Sequence, residues 1–229
     1  PPAMFFDQHI LGKMSSLFPV RNDGCVHVMH KSLADWLLKK ERSGHYFIGE
    51  DDLKAAHEGM WKRCEGLLDL DLDNLERLYA IKHGILHSCK SGNVDKAKSL
   101  VLSFPWLLLR TKVGPAASVW ADAQMVNETL VPKNRGVHLV ASALRMGQKG
   151  ISKSWKQLPG QLVARLLSAA ESNEDIKTLL TCVRKYRETP WWCPVSQAIA
   201  PAGGACMGVW TGHKGEVTEV AWRLDGKRA

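Results

Sequence analysis

Two histidines four residues apart are the nearest approach in this sequence to a metal site. His83 and His87 share one face of a predicted helix, with Cys89 close behind, and that spacing can bind a transition metal. The residues between them, Gly-Ile-Leu, do not include the Glu that a zinc protease carries between its histidines. We therefore interpret both histidines as surface or packing residues and predict no metal site.

Other chemical patterns are incomplete in the same way. Asp69, Asp71 and Asp73 alternate in a manner that hints at calcium, but their loop lacks the Gly and the distal Glu of an EF-hand. No position matches the phosphate-binding pattern GxxxxGK followed by Ser or Thr, and no Gly-x-Ser-x-Gly elbow occurs. The sequence thus predicts no catalytic residue, no cofactor held by the chain itself, and no enzyme activity of its own.

The tryptophans and the net positive charge are features expected of a protein that binds nucleic acid. A net charge of +8 would favour such a partner, but the basic residues are spread along the chain without a block of five or six. Several tryptophans instead have the spacing of anchors between packed helices. We expect a core role for all five of them, a solvated basic surface, and no nucleic-acid partner. The five are Trp106, Trp120, Trp155, Trp191 and Trp192.

The composition describes a globular protein of a reducing compartment. Hydrophobic residues make up 45% of the 229 residues, and the six cysteines are scattered without any CxxC pair. This argues against a disulfide framework or a zinc knuckle. The longest apolar stretch, Pro105 to Leu109, is too short to span a bilayer. We expect a cytoplasmic protein without a membrane partner.

Three kinds of element follow one another along the chain. Residues 1–49 combine an amphipathic helix over 7–17, a hairpin turn at Asn22-Asp23-Gly24, and a second helix from Lys31 to Arg42. Helix, wing and helix predict the C-terminal part of a winged-helix domain.

Residues 50–200 have the periodicity of helices almost throughout. The clearest unit is an αα-hairpin in which a helix from Leu75 to Cys89 meets a return helix from Val94 to Phe104. Gly92 is the expected C-cap of the first helix and Asn93 the expected N-cap of the second. The other predicted helices begin near Glu50 and cover Val137–Met146, Gln161–Leu167 and Glu174–Tyr186, before Pro190 and Pro194 end helix formation.

Residues 201–229 change from the helical period to the period of strands. Pro201-Ala202-Gly203-Gly204 predicts a linker, residues 206–210 and 217–223 predict strands, and turns are expected between and after them. The whole chain is therefore predicted to be mainly α. It consists of a partial winged helix, an irregular helical array of αα-hairpins, and a short β segment.

The β segment resembles the opening of a WD repeat. Residues 210–228 contain a Gly-His turn, a strand of alternating apolar residues and an Asp-Gly turn, in that order. The resemblance assigns structural roles to turn residues and to apolar residues that pack between blades. These are Gly212, His213, Val217, Trp222, Asp225 and Gly226. We expect the chain to end inside the first blade of a propeller.

The preceding residues resemble STAND-type signalling NTPases, in which a NACHT or NB-ARC module precedes helical arms and WD repeats. Residues 28–38 resemble the His-Lys-Ser-x-x-Asp-Trp/Phe-Leu pattern that ends their winged helix, and residues 77–109 and 157–162 resemble their helical region. The resemblance implies a fragment: a winged-helix end, a helical arm and the start of the first WD repeat. It implies a regulatory and protein-interaction role in signal transduction, with protein partners at the propeller and oligomerisation of the full-length protein.

In that family, a histidine after the wing contacts the β-phosphate of ADP. His30 occupies the matching position, so the resemblance implies ADP or ATP binding in the full-length protein, which can be an ATPase although this region is not. The chain departs from the family's Met-His-Asp form, because Lys31 stands in the place of the Asp. An alternative role for His30 is to cap the helix that begins at Lys31.

A second interpretation of the whole chain is a winged-helix DNA-binding protein with a helical extension. It predicts salt-dependent affinity for DNA, with phosphate contacts from Lys39, Lys40 and Arg42. Further WD repeats downstream and a phosphate-binding loop upstream would favour the signalling interpretation.

Overall fold

The computed structural model describes residues 31–68, 75–197 and 199–204, and within them the chain is helical. Ten α-helices occur in this part of the chain, and none of its residues forms a strand. The mainly α prediction is therefore confirmed for these residues. The helices are α1 Lys31–Leu37, α2 Lys40–Ser43, α3 Glu50–Leu67, α4 Leu75–Ser91, α5 Val94–Val101, α6 Phe104–Val113, α7 Ala116–Thr129, α8 Arg135–Lys153, α9 Leu158–Leu166 and α10 Glu174–Lys185.

Several predictions fall on other residues. The first helix and the hairpin of the predicted winged helix, His30, the three aspartates at 69, 71 and 73, and the whole WD-like segment lie outside the described residues. Three short 3-10 turns, Gly44–Tyr46, Trp155–Gln157 and Ser168–Glu171, connect helices in the described part.

The predicted helix from Lys31 to Arg42 is two helices. α1 ends at Leu37, whose carbonyl accepts a hydrogen bond from the Ile48 amide at 2.9 Å instead of continuing the helical ladder. Lys39 is extended, and the Ser43 hydroxyl donates to its carbonyl at 2.9 Å. The break comes from a loop folded back onto the helix end, which periodicity does not show.

α3 and α4 pack along one another and enclose a small cluster of their own. Three acidic residues begin α3, where carboxylates favour the helix dipole, and the Asp52 carboxylate accepts from the Gly49 amide at 2.9 Å. Trp61, Cys64 and Ala80 are buried between the two helices. Along the chain, the α3–α4 pair therefore precedes the α4–α5 hairpin, which was the clearest unit predicted from the sequence.

The α4–α5 hairpin is present, with two corrections. Gly92 ends α4 in the left-handed region at φ 88°, as its residue type predicts. Asn93 stands at the N-cap position but its side chain does not cap α5, because its amide donates to the Ser91 hydroxyl at 2.9 Å. The return helix ends at Val101, since Pro105 supplies no amide to a continuing ladder and instead starts α6.

A single large core joins the helices from the second half of α4 to α10. α8 lies at its centre and packs against α7, α9 and α10. The Asn134 and Asn173 side chains cap α8 and α10 by accepting from the amides of Val137 and Ile176. The largest fully buried side chains of this core are Ile85, Leu107, Leu144, Leu158, Leu162, Leu166, Ile176 and Leu179.

The tryptophans divide between core and solvent. Trp106 is buried, while Trp120, Trp155 and Trp191 pack against the large core from its edge. Trp192 is 94% exposed, so the packing role predicted for it is wrong. It follows Pro190 in a non-helical segment that no periodicity describes.

Candidate functional site

The described residues that follow α10 return across the helical array. We call residues 190–197 and 199–204 the exit segment, since they lead to the residues that resemble a WD repeat. The side-chain amide of Gln197 donates to the Ala164 carbonyl at 2.6 Å, and the Arg165 guanidinium donates to the Ala200 carbonyl at 3.1 Å. These two bonds hold the middle of the exit segment on α9.

Two further hydrogen bonds hold the end of the exit segment. The Ala202 amide donates to the Arg165 carbonyl at 2.8 Å, and the Gly203 amide donates to the Ser142 hydroxyl of α8 at 3.1 Å. Ala202 is buried in the large core. We call these four hydrogen bonds, together with the burial of Ala202, the anchor.

The anchor follows from the incomplete bonding at a helix end. α9 ends at Leu166, so the carbonyls of Ala164 and Arg165 belong to the last turn and lack partners within the helix. The exit segment supplies donors to both. Gly203 is required at its place, because its φ of 72° is left-handed and a Cβ there would lie 2.8 Å from Leu139 Cδ2. The residues predicted to be a linker are therefore bonded to the array.

His87 is buried between α3 and α4 rather than exposed. Its Nδ1 lies 2.9 Å from Nδ1 of His57, and its Nε2 lies 2.8 Å from the Tyr79 hydroxyl. One proton lies between the two Nδ1 atoms, so one imidazole donates and the other accepts in this hydrogen bond. His83 is exposed, and its ring lies against that of Tyr79. The sequence spacing suggested that His83 and His87 form a pair. In the structure, His87 is hydrogen-bonded to His57 instead.

The His87 environment favours the neutral imidazole. Burial lowers the pKa of His87, and the neighbouring His57 and His83 lower it further. The described residues hold no group of three or more His, Cys, Asp or Glu side chains positioned around a metal ion.

A buried ion pair lies in the large core between α6 and α7. Arg110 Nε donates to Asp122 Oδ2 at 2.7 Å, and both residues are buried. A Cβ at Gly114 would overlap the Arg110 guanidinium, so this glycine makes the room that the pair occupies. Burial raises the pKa of Asp122 to about 6 against the opposing effect of Arg110. No sequence motif indicated this pair.

The described cysteines are all free, two of them buried and two exposed. Burial raises the pKa of Cys89 to about 11 and also raises the pKa of Cys64, so both are protonated thiols at neutral pH. Cys182 and Cys193 are exposed. None of these four described cysteines is paired in a disulfide.

Lys39, Lys40 and Arg42, the residues of the DNA-binding alternative, are exposed on and just before α2. No helix in the described ranges is long and apolar enough to cross a membrane. Comparison of the chain with protein-family models, with curated proteins and with solved structures gave no match.

Proposed function

We propose that this chain is the coupling arm of a STAND-type signalling NTPase, a non-catalytic region that joins a nucleotide-binding module to a WD-repeat propeller. The single observation that carries the proposal is the anchor. It binds the residues immediately before the WD-like segment to α8 and α9, so the start of a propeller blade would be fixed in orientation relative to the arm.

The anchor is strong enough to act as a coupling. A net hydrogen bond contributes about 0.5–1.5 kcal/mol, so the four bonds together contribute a few kcal/mol in addition to the burial of Ala202. A force on the propeller would therefore reach α8 and α9, which belong to the large core, before it could detach the exit segment. In this proposal, protein partners bind the propeller, and the core transmits their effect toward the nucleotide.

The proposal assigns the nucleotide contact to His30. The full-length protein would bind ADP in a closed form and ATP in an open form that oligomerises in the cytoplasm. A charge-assisted hydrogen bond from His30 to a phosphate contributes about 1.5–3 kcal/mol, which changes the ratio of closed to open protein by roughly ten- to a hundredfold.

The anchor is tested by amide hydrogen exchange on the 229-residue chain. We expect slow exchange at the amides of Ala202 and Gly203, and Ser142→Ala should accelerate exchange at Gly203. Ser152→Ala, an exposed serine on the same helix, is the matched control and should leave both amides unchanged. Fast exchange at both amides in the unmodified chain would refute the anchor, and with it the coupling.

The nucleotide contact is tested by ADP release from the full-length protein. His30→Ala should release ADP faster and favour the open form, whereas His27→Ala, three residues earlier, should not. Equal release rates for His30→Ala and the parent protein would remove His30 from the proposal without affecting the anchor.

One observation favours the second candidate, a winged-helix DNA-binding protein. Lys39, Lys40 and Arg42 are exposed together, as phosphate contacts must be. Affinity for duplex DNA that falls steeply with salt and with Lys40→Ala would support this function. Undetectable duplex binding at low salt would exclude it.

A further inference from the structure

Basic residues that are scattered along the sequence line one cleft between α8 and α9. The cleft has a volume of about 690 Å³, and four of its lining residues are cationic: Arg145, Lys149, Lys153 and Arg165. Among the described residues that line it, none carries a carboxylate. The electrostatic potential in the cleft is therefore positive, and concave walls concentrate it.

Three of these cations form a ladder on α8. Arg145, Lys149 and Lys153 are exposed and follow one another at intervals of four residues, which places them on one face about 6 Å apart along the helix axis. Like charges at this spacing destabilise a helix, and an anion along the ladder would relieve the repulsion. The repeat is close to the separation of successive phosphates in an extended strand.

The floor of the cleft presents amide side chains. A Cβ at Gly150 would lie 2.7 Å from Gln157 Oε1, and a Cβ at Gly147 would lie 3.2 Å from the Gln161 side chain. The two glycines of α8 thus make room for both glutamines. An amide side chain carries a donor and an acceptor, which suits the edge of a base or the hydroxyls of a sugar.

A second, smaller cleft adjoins the first and contains an exposed aromatic ring. It has a volume of about 290 Å³, shares Gln157 and Gln161 with the basic cleft, and is also lined by Lys156 and Trp192. Trp192 is 94% exposed, unlike the other tryptophans of the described helical array. An exposed tryptophan beside a positive groove is the combination on which single-stranded nucleic acids stack their bases.

We propose that the α8–α9 face binds single-stranded nucleic acid, with its phosphates along the Arg145–Lys149–Lys153 ladder and a base stacked on Trp192. The repeated cations fit a polymer with repeated phosphates better than a single phosphate group. The exposed Trp192 ring and the glutamine amides suit the bases of a nucleic acid. An acidic peptide or a lipid headgroup has no bases. The binding uses Trp192 of the exit segment, and Arg165 of the anchor lines the same cleft, but its test measures affinity for nucleic acid and not amide exchange at Gly203.

The binding is tested by fluorescence anisotropy of the 229-residue chain with a labelled 12-nucleotide oligouridine. We expect saturable binding at low salt and a slope of about −2 in a plot of log affinity against log salt, from three phosphate contacts at about 0.7 each. The triple variant Arg145→Ala/Lys149→Ala/Lys153→Ala should abolish this binding. The control triple Lys54→Ala/Lys82→Ala/Lys90→Ala removes the same charge from exposed lysines elsewhere and should retain most of it.

The stacked base is tested separately. Trp192→Ala should weaken binding by roughly tenfold or more, while Trp192→Phe retains part of the affinity. Tyr46→Ala is the aromatic control, because it removes a ring that is 67% exposed and far from Trp192 in the sequence. This variant should not change affinity.

Four results would overturn the proposal. They are no binding at low salt, equal loss in the two triple variants, a duplex of the same length bound as tightly as the single strand, and unchanged affinity of Trp192→Ala. The last result, combined with equal competition by inorganic polyphosphate, would identify a general polyanion cleft instead. None of these results bears on amide exchange at Gly203, so the coupling function and this binding can fail separately.

Discussion

The α3–α4 pair and the α6–α7 pair each hold two interacting ionisable side chains, of which His57 alone is only half-buried, but the chemistry of the two regions is opposite. Between α3 and α4, two histidines share a hydrogen bond, and burial lowers the pKa of His87. Between α6 and α7, an arginine and an aspartate form an ion pair inside the large core. The comparison shows that burial favours the neutral form in both regions but shifts the two pKa values in opposite directions, because His87 is charged when protonated and Asp122 when deprotonated.

The two regions also differ in how much packing surrounds the polar groups. The histidines border a small cluster of three buried residues, whereas the ion pair lies within a core that extends from α4 to the exit segment. Local opening of α3 from α4 therefore exposes less apolar surface than opening of the large core, and we expect it to occur more readily.

The largest expected effect comes from breaking the ion pair. Asp122→Ala should cost about 3–5 kcal/mol of unfolding free energy, because it leaves the buried Arg110 guanidinium without its hydrogen-bond acceptor. Asp122→Asn keeps an acceptor for Arg110 and should cost less. Urea denaturation measures both.

The exposed ion pair between Lys62 and Glu58, at 2.8 Å on α3, is the control for this prediction. Glu58→Ala should change stability far less than Asp122→Ala, since water screens the charges. Similar losses for Glu58→Ala and Asp122→Ala would contradict the view that burial makes the ion pair sensitive.

The next effect is a pH response of opposite sign in the two regions. The pKa of His87 is lowered in the folded state, so its contribution to stability is present above about pH 6.5 and is lost as the pH falls. The pKa of Asp122 is raised to about 6, so its contribution is complete below the unfolded value of 3.8 and is lost as the pH rises through 6. Acidification from pH 7 to 5 should therefore destabilise the packing of α3 against α4 and stabilise the packing of α6 against α7.

Native-state amide exchange at pH 7 and pH 5, corrected for intrinsic rates, measures this difference. His87→Phe should remove the acid sensitivity of α4 amides, and Asp122→Asn should remove the pH dependence of α7 amides. A single common response of both regions to acid would show that neither side chain controls its own region.

The smallest expected effect concerns two asparagines that begin helices in the two halves of the chain. Asn173→Ala should cost about 1 kcal/mol, because its side chain accepts from the Ile176 amide at the start of α10. Asn93→Ala should cost less, because Asn93 at the start of α5 donates to Ser91 and caps nothing. Thermal unfolding of the two variants compares them directly, and a larger loss for Asn93→Ala would mean that it caps α5 in solution.

Local patterns predicted much of the helical array. Apolar periodicity placed α4 and α10 within two residues of their ends, and Gly92 ended α4 as its residue type predicts. The predicted α8 stopped at Met146, seven residues before the helix ends at Lys153. The same patterns failed where the caps of the helices were concerned. Asn93 and Asn173 have the same residue type at the same position of a helix, but Asn173 is extended and caps α10, whereas the Asn93 amide donates to Ser91.

The candidate site shows the same division between what local sequence patterns predict and what contacts between helices decide. The sequence indicated His87 from its spacing to His83, but its partner His57 is thirty residues away on another helix. It indicated a linker at residues 201–204 from the composition, but the composition does not show that α9 ends with carbonyls in need of donors. The i, i+4, i+8 repeat of Arg145, Lys149 and Lys153 was visible in the sequence and would have revealed the ladder once α8 was assigned over its full length.

The sequence by itself determined the class of this protein's helical region, because apolar periodicity and glycine or proline breaks act within a few residues of the chain. Only the tertiary structure decided which histidine pairs with His87, which carboxylate pairs with Arg110, and that Ala202 is buried. Each of these depends on groups brought together by packing from different helices, and the free energy of such contacts depends on burial that no local pattern records.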